Sequence, residues 1–327
     1  MQRLKNSLSL FAFFLGLGIL FFLVKAKHQE ILGIFSRLNW LQLALIFTFP
    51  VTWYFLQSYA WWRVIKDDER QIGLWSIFLV KITGEAVNTI TPLSIAGGDP
   101  YRIYLLQKKI SGTSSAASVI VDRTVHTIGI FMLLVLSLGL AWLKLPLPPE
   151  WHFAMPVILV VFLTLLLILV AGQRKGLFTT LGRLATKTGF QKKRFDRWQN
   201  KLAELDVQIG AFYKKHPLHF FEILFLHFLS RLLGAVEIYL IAHFLKLPVG
   251  FDHALFLASL TVLINMVFVF IPGSLGVMEG GYGALFYLLK MSEAHGVAIQ
   301  LVRRLRTFFW VFLGLLAILI YKPKKLK

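Results

Sequence analysis

The sequence predicts an all-α polytopic membrane protein, with about six full spans and two re-entrant hairpins arranged as an inverted repeat. Composition is the first reason, since 57% of the 327 residues are hydrophobic and the mean hydropathy is +0.69. Only 16% of the residues are charged, which is too few for a soluble domain of this length. Several continuous apolar runs approach the ~20 residues that a spanning helix needs, whereas a membrane barrel would show short alternating strands.

A stretch that occurs twice is the second reason. The copies run from Pro92 to Arg123 and from Pro272 to Arg303, and they align without a gap at a shift of 180 residues. The shift pairs Pro92 with Pro272, Asp99 with Glu279, Arg123 with Arg303 and Thr127 with Thr307. Each copy has a Pro/Gly/Ser break, an acid, a short apolar helix and a long helix with an early arginine. Repeated, broken and charged segments in an apolar chain indicate a membrane transporter, although a duplication retained for packing alone would leave the same pattern.

The first half reads as two spans, a hairpin and a third span. The spans are predicted at Leu8–Val24, Trp40–Ala60 and Ser115–Leu140. The hairpin, Leu74–Lys109, is predicted to enter and leave on one side, because its second helix is too short to cross ~30 Å of hydrocarbon. Its break is predicted at Pro92, Gly97 and Gly98. Asp99 and Pro100 then read as the N-cap and first residue of the short helix.

The second half repeats this order, with a long polar insertion between its first two spans. Its spans are predicted at Ala154–Ala171, Leu218–Leu245 and Val297–Tyr321. The second hairpin, Ala254–Lys290, is predicted to break at Pro272, Gly273 and Gly276. The chain is thereby divided into a first membrane repeat (1–142), the span that opens the second repeat (143–172), a basic loop (173–217) and the rest of the second repeat (218–327).

The polar insertion, Gln173–His216, is strongly basic. Apolar residues from Phe195 to Phe212 recur at alternating spacings of three and four, which predicts an amphipathic helix with a basic flank. Two placements fit this helix: it lies on an anionic leaflet, or it packs against the cytoplasmic ends of the protein's own spans.

Charge distribution predicts the topology. The net charge is +19, and most of it lies in loops and tails beside spans, which the positive-inside rule places in the cytoplasm. Both termini and the basic loop are therefore expected to be cytoplasmic, in the cell (cytoplasmic or inner) membrane, with Lys144–His152 outside. The first hairpin then enters from the cytoplasm and the second from outside, so the two copies are inverted.

Charged and polar residues inside the predicted spans and hairpins form the candidate site, because each charge costs about 2.5–3.5 kcal/mol to insert. The candidates for substrate contact are Glu85, Asn88, Asp99, Arg102, Asp122, Arg123, Arg231, Glu279, Arg303 and Arg304. The arginine 24 residues after each repeated acid is its expected partner, which predicts the pairs Asp99–Arg123 and Glu279–Arg303. Such pairs either only fix the hairpins or also receive an anionic head group, since a guanidinium binds phosphate bidentately.

Other chemistries find little support in the sequence. There is no cysteine and no metal-ligand spacing, nucleophile elbow or phosphate-loop pattern, so no cofactor, metal or enzymatic activity is indicated. His126 and His227 read as hydrogen-bonded packing residues rather than proton relays. No solvated basic and aromatic groove suggests a nucleic-acid partner. The expected partners are membrane lipids, through the basic loop, and a lipid-modifying enzyme.

Several motifs resemble the lysylphosphatidylglycerol synthase transmembrane-region family. They are Gly84-Glu85-Ala86-Val87-Asn88, Pro92, Gly98-Asp99 with Arg102, Asp122-Arg123, and Ile271-Pro272-Gly273-Ser274-Leu275-Gly276-Val277 with Glu279. The family contains flippase-like proteins, found alone or as the flippase half of multiple peptide resistance factor. The resemblance covers nearly the whole chain and implies a polytopic protein that moves lipids or lipid-linked head groups between leaflets.

Two departures limit what the resemblance implies. The usual Gly-Glu before the family's arginine appears here as Gly98-Asp99, with Pro100 inserted before Arg102. This sequence also carries no soluble aminoacyl-transferase domain, so lipid aminoacylation is not implied.

The expected function is translocation of an anionic or zwitterionic lipid, whose head group passes through a polar cavity made by both hairpins. Two alternatives remain: an exporter of a small anionic solute, and a membrane accessory subunit of a lipid or glycolipid synthase that uses the basic loop for docking. An intramembrane enzyme is less favoured, because the acids are expected to pair with arginines rather than with each other.

Overall fold

A computed structural model describes residues 28–65, 72–91, 94–187, 192–215, 217–269 and 271–320, together with Gly18, Phe21 and Lys25. The predicted first span, Leu8–Val24, falls outside these residues except at Gly18 and Phe21. Pro92 and the basic tail Lys322–Lys327 also fall outside them.

Over its described part the chain is helical and contains no strand. The helices are α1 (His28–Phe35), α2 (Trp40–Thr48), α3 (Pro50–Val64), α4 (Leu74–Ile90), α5 (Ser94–Leu106), α6 (Gly112–Lys144), α7 (Pro149–Arg174), α8 (Leu177–Lys187), α9 (Lys192–Lys215), α10 (Pro217–Phe244), α11 (Phe251–Val267), α12 (Val277–Leu288) and α13 (Glu293–Ile320). A 3₁₀ turn, Pro272–Ser274, lies between α11 and α12.

The long apolar helices confirm a helical membrane protein. Within the described residues, α6, α7 and α10 are long and apolar enough to cross a membrane, and a bent pair, Gln29–Phe35 with Trp40–Val64, raises the number to four. The 28-residue α13 carries Arg303, Arg304 and Arg306, which lower its hydropathy. The total of six spans and the inverted arrangement remain predictions.

The first hairpin is formed by α4 and α5, which pack along each other. The break predicted at Gly97 and Gly98 is wrong, as is the helix start at Asp99 and Pro100, because α5 already begins at Ser94 and contains all four residues. The glycines serve close packing instead. A Cβ on Gly98 would clash with the carbonyl oxygen of Gly84 and with the amide of Asn88. The Asn88 side chain accepts a hydrogen bond of 2.8 Å from the Gly98 amide, which ties the two helices together.

Replacing Gly98 by Ala is expected to lower the free energy of unfolding by about 1–3 kcal/mol, because the added methyl overpacks the contact between α4 and α5. The matched control is Gly139→Ala in α6, where an added Cβ meets nothing within 4 Å. This control should stabilise the protein by up to about 1 kcal/mol through helix propensity. Thermal unfolding of the purified protein in detergent measures both, and equal melting temperatures for the two variants would contradict the close packing.

The second hairpin breaks at the predicted glycines. Gly273 and Gly276 have φ values of 60° and 73°, in the left-handed region that glycine tolerates best. Ser274, between them, has a φ of 48°. Two glycines with a left-handed backbone conformation therefore turn the chain sharply between α11 and α12.

The two membrane repeats meet where α4 packs against α13. At this seam a Cβ on Gly314 would lie 2.6 Å from the Ala86 Cβ and 2.7 Å from the Ile82 carbonyl oxygen. Only a glycine permits this approach, and it holds the first hairpin against the last helix. The polar residues of α4 and α13 are thereby brought to one region of the protein.

The basic loop contains the predicted amphipathic helix as α9. Its Leu205 and Ile209 are buried in a cluster with Val121, Val125 and Ile223, so this part of α9 packs against α6 and α10. The other end differs, since Trp198 is 54% exposed. The predicted face therefore covers the protein's own helices near its C-terminal end and stays open near Trp198.

A hydrogen-bond chain anchors α9 to the long helices. The Tyr213 hydroxyl donates to Gln173 at 3.0 Å, and Gln173 donates to Thr124 at 2.8 Å. Burial raises the pKa of Tyr213 to about 12, so the hydroxyl stays protonated and keeps this bond at neutral pH. Asp206 of α9 accepts from the amides of Phe178 and Thr179 at the start of α8.

Candidate substrate cavity

A cavity of about 670 Å³ is lined by residues of both repeat copies. Seven of the ten predicted site residues line it: Glu85, Asn88, Asp99, Arg123, Arg231, Arg303 and Arg304. The other three, Arg102, Asp122 and Glu279, are almost completely buried and bond to residues around the cavity. Most of the charged and polar residues predicted inside the spans and hairpins thus lie in one spatial cluster.

The first membrane repeat contributes two carboxylates and two arginines. Both Asp99 oxygens accept from Arg123 Nε at 2.8 Å, which confirms the predicted pair. Arg102, with a side chain 1% exposed, donates to Asp99 at 2.9 Å and to Glu85 at 2.6 Å. A second arginine therefore shares the acids, and the four charges balance.

The second copy pairs its acid differently. The predicted Glu279–Arg303 pair is wrong, because the fully buried Glu279 accepts from Arg304 Nε and Nη2 at 2.9 and 2.8 Å. Arg304 also donates to the backbone carbonyls of Gly273 and Ser274 at the break between α11 and α12. This arginine therefore holds both the acid and the turn.

Arg303 belongs to a separate group around Glu237 of α10. The Glu237 carboxylate lies 3.4 Å from Arg303 Nε and 2.7 Å from Arg306 Nε. Arg303 also donates to the Tyr282 hydroxyl at 2.6 Å and to Gln300 at 3.1 Å. Two arginines share one carboxylate, so this group carries a surplus positive charge.

A fourth group lies behind the cavity wall, where α4, α6 and α10 meet. Asp122 accepts from Lys81 at 3.1 Å, and its other oxygen lies 3.0 Å from His227 Nε2. The two histidines predicted as separate packing residues are in contact, with His126 Nδ1 3.1 Å from His227 Nδ1. His126 Nε2 in turn contacts Arg231, which lines the cavity.

The cavity is electropositive. Five arginines line it (Arg123, Arg231, Arg303, Arg304 and Arg306) against two carboxylates, Glu85 and Asp99. When the buried partners are included, seven cations (these arginines, Lys81 and Arg102) face five carboxylates (Glu85, Asp99, Asp122, Glu237 and Glu279), which leaves a surplus of two positive charges. In a low-dielectric setting such a surplus attracts an anion.

Several lining residues were missed as site residues by the sequence reasoning. Asn265, Gln300 and Arg306 line the cavity. The repeat could have indicated Asn265, because the shift of 180 pairs it with Glu85. Gln300 has no such signal, because the shift pairs it with Ile120, whereas Arg306 is paired with His126, which also lines the cavity. Within the described residues no group of three or more His, Asp or Glu side chains could hold a metal ion.

Apolar helices around an internal charged cavity define a polytopic membrane protein with a polar interior. The chain belongs to the lysylphosphatidylglycerol synthase transmembrane-region family, whose model matches residues 9–314. It is also similar to a UPF0104 membrane protein of Methanothermobacter thermautotrophicus, with 26% identity over 259 residues that cover 76% of this chain and 75% of the relative. No solved structure matches the chain.

Proposed function

We propose that the protein is a transporter that moves an anionic or zwitterionic lipid, or a lipid-linked head group, between the two leaflets. The observation that carries this proposal is the electropositive cavity, which both repeat copies line. Keeping five arginines inside a membrane protein is costly, and a phosphate-bearing head group is an occupant that such a lining suits. The predicted inversion of the copies would let the cavity open to each side in turn.

The rest of the lining favours a lipid over a small solute. Apolar side chains of α7 and α11 complete the cavity, among them Phe162, Val262 and Met266. Met266 is 51% exposed, and the neighbouring Val267 is 65% exposed. A site with an arginine-rich part and an exposed apolar margin suits a molecule with a charged head and acyl chains that stay in the bilayer.

Transport fits the site better than catalysis. Each of the described cavity carboxylates, Glu85 and Asp99, is bonded to arginines rather than to the other acid. Neither has the poised environment of a general acid or base. We therefore propose that these acids hold arginines in position while the arginines contact the substrate.

We propose that the exposed end of α9, near Trp198, contacts the anionic cytoplasmic leaflet or a lipid-modifying enzyme. The exposed Trp198 has the Lys201 ammonium 5.1 Å from its ring centroid. An aromatic ring beside a lysine suits the interface between lipid and water. The same orientation puts both termini in the cytoplasm.

Leaflet exchange of fluorescent lipids in liposomes tests the function. Wild-type protein should accelerate exchange for some head groups, whereas Arg303→Gln should slow it by about 10–100-fold, the effect of one lost charge-assisted hydrogen bond. Folding should survive, because Glu237 keeps Arg306 as its partner.

Arg63→Gln is the matched control, since Arg63 pairs with Glu222 at 2.8 Å and is not among the lining residues of the cavity. It should exchange lipids at the wild-type rate. Absence of exchange for every head group, or equal rates in the two arginine variants, would contradict the proposal.

A further inference from the structure

The group of polar residues behind the cavity wall forms a continuous hydrogen-bonded chain. It runs from Lys81 through Asp122, His227 and His126 to Arg231, with spacings of 3.1, 3.0 and 3.1 Å for the first three contacts. Lys81 and His227 are 0% exposed, whereas Arg231 and His126 line the cavity. The chain therefore connects a closed interior to the substrate site.

The partners assign the proton positions in this chain. Asp122 is a carboxylate that only accepts, so His227 donates to it from Nε2. His227 Nδ1 then accepts from His126 Nδ1–H. His126 Nε2 is left as an acceptor, and it receives the guanidinium of Arg231. Each ring nitrogen has one partner, and both histidines are neutral.

Arg231 is held less firmly than the other cavity arginines. Among the described residues it has no carboxylate within ion-pair distance, whereas Arg123, Arg303, Arg304 and Arg306 each have one. Its buried Nε has no hydrogen-bond partner in the part of the chain that the structure describes. A neutral imidazole is a weaker partner for a guanidinium than an anion, because it carries no opposite charge to attract the cation. An anion that enters the cavity can therefore displace His126 from Arg231.

We propose that Arg231 captures the anionic group of the substrate and that its release from His126 couples this binding to the uptake of one proton. When the guanidinium turns to the anion, the lone pair on His126 Nε2 is freed toward the cavity. It takes up a proton from the bulk solvent, relayed by cavity water, and the resulting imidazolium keeps its Nδ1–H bond to His227. The new Nε2–H gives the anion a second donor. This inference rests on the proposed function only in that the cavity admits an anion.

The surrounding charges make the two binding events depend on each other. His126 faces Lys81 of α4, Asp122 and Arg123 of α6, and His227 and Arg231 of α10. Arg231 additionally faces Glu85 of α4 and Tyr54 of α3. Because cations dominate around His126, a proton alone is repelled, whereas a proton that arrives with an anion adds no net charge. Where the bound anion is also moved across the membrane, as proposed above, the proton moves with it and a proton gradient would drive the movement.

Calorimetric titration of the full chain in detergent with glycerophosphoglycerol tests the coupling. Its phosphodiester stays a monoanion over the range in which imidazole titrates, about pH 5 to 8. Titration in two buffers of different ionisation enthalpy gives the number of protons taken up per anion bound. For the wild-type protein, the number of protons taken up per anion bound should approach one as the pH is lowered toward the middle of this range. Binding without proton uptake would overturn the inference.

Three variants locate the proton. His126→Gln keeps an acceptor for Arg231 and should bind the anion without proton uptake, whereas Arg231→Gln should bind at least about tenfold more weakly. His152→Gln, which changes an exposed histidine of α7, is the matched control and should match the wild type. Undiminished proton uptake in a folded His126→Gln protein would overturn the assignment, and the wild-type measurement decides the coupling even if a variant does not fold.

The result is separable from the proposed function. Anion binding with proton uptake but no leaflet exchange in liposomes would refute lipid translocation and leave the coupling standing. Leaflet exchange without proton uptake would support lipid translocation and refute the coupling.

Discussion

Replacing Glu237 by Gln is expected to lower the free energy of unfolding by about 3–5 kcal/mol, because it leaves two arginines without their carboxylate. The Glu237 side chain is 2% exposed, and Arg303 and Arg306 are 13% and 10% exposed. These guanidiniums cannot recover the lost interaction from water. Chemical or thermal unfolding of the purified protein in detergent measures the loss.

Removal of one of the two arginines should restore much of that stability. In the double variant Glu237→Gln with Arg306→Gln, Arg303 keeps its bonds to Tyr282 and Gln300, and one uncompensated charge is gone. Glu222→Gln is the matched control, because the Glu222 side chain is 36% exposed and pairs with Arg63 near the surface. It should cost less than about 1 kcal/mol. A double variant no more stable than Glu237→Gln would show that the carboxylate acts through something other than charge.

The sequence predicted the helical class and most cavity residues because the hydrophobic pattern and the duplication are both properties of the chain order. The position of Arg123 opposite Asp99 followed from the repeat and is confirmed. Details of helix breaks were less predictable. Gly97 and Gly98 look like a break in the sequence. Whether a glycine ends a helix or admits a neighbouring segment depends on what packs against it, which is Thr91 at Gly97 and both Gly84 and Asn88 at Gly98.

The wrong partner for Glu279 has a physical explanation in the substitutions between the copies. Asp99 is supported by Arg102 within its own helix, but the shift of 180 places Tyr282 where the first copy has Arg102. Glu279 therefore needs another arginine, and Arg304 provides it, one residue and about 100° around the helix from Arg303. Tyr282 then binds Arg303 through its hydroxyl. Ion pairs therefore occur at corresponding places in the two copies, but the arginine that pairs with the acid is not the corresponding one.

Contacts between distant helices could not be predicted from spacing at all. His126 and His227 are 101 residues apart, and the shift of 180 pairs them with Arg306 and Phe47, which does not indicate that the two histidines touch. Their contact depends on the packing of α6 against α10, at a point where the Gly129 Cα approaches the backbone of Phe228. A histidine on an apolar helix gives no hint of whether its neighbour is another histidine or a hydrophobic side chain.

Replacing Arg304 by Lys is expected to destabilise the protein by at least about 2 kcal/mol although the charge is retained. The guanidinium contacts the Glu279 carboxylate and, at the same time, the carbonyls of Gly273 and Ser274. An ammonium on a flexible stem cannot span these acceptors, so carbonyls at the break between α11 and α12 lose their donors. A buried acceptor left without a donor costs about 1–3 kcal/mol.

Arg303→Lys, one residue away, is the matched control for that change. Among the described residues the Arg303 guanidinium bonds only to side chains, and a lysine can keep a charge near Glu237 and a bond to the Tyr282 hydroxyl. Its loss of stability should therefore be smaller, while lipid exchange should fall because the planar donor pair for phosphate is gone. Arg304→Lys should instead cause the larger drop in melting temperature and the smaller drop in lipid exchange. If both lysine variants had the same melting temperature, the backbone contacts of Arg304 would contribute nothing to stability. The break would then be held by its glycines alone.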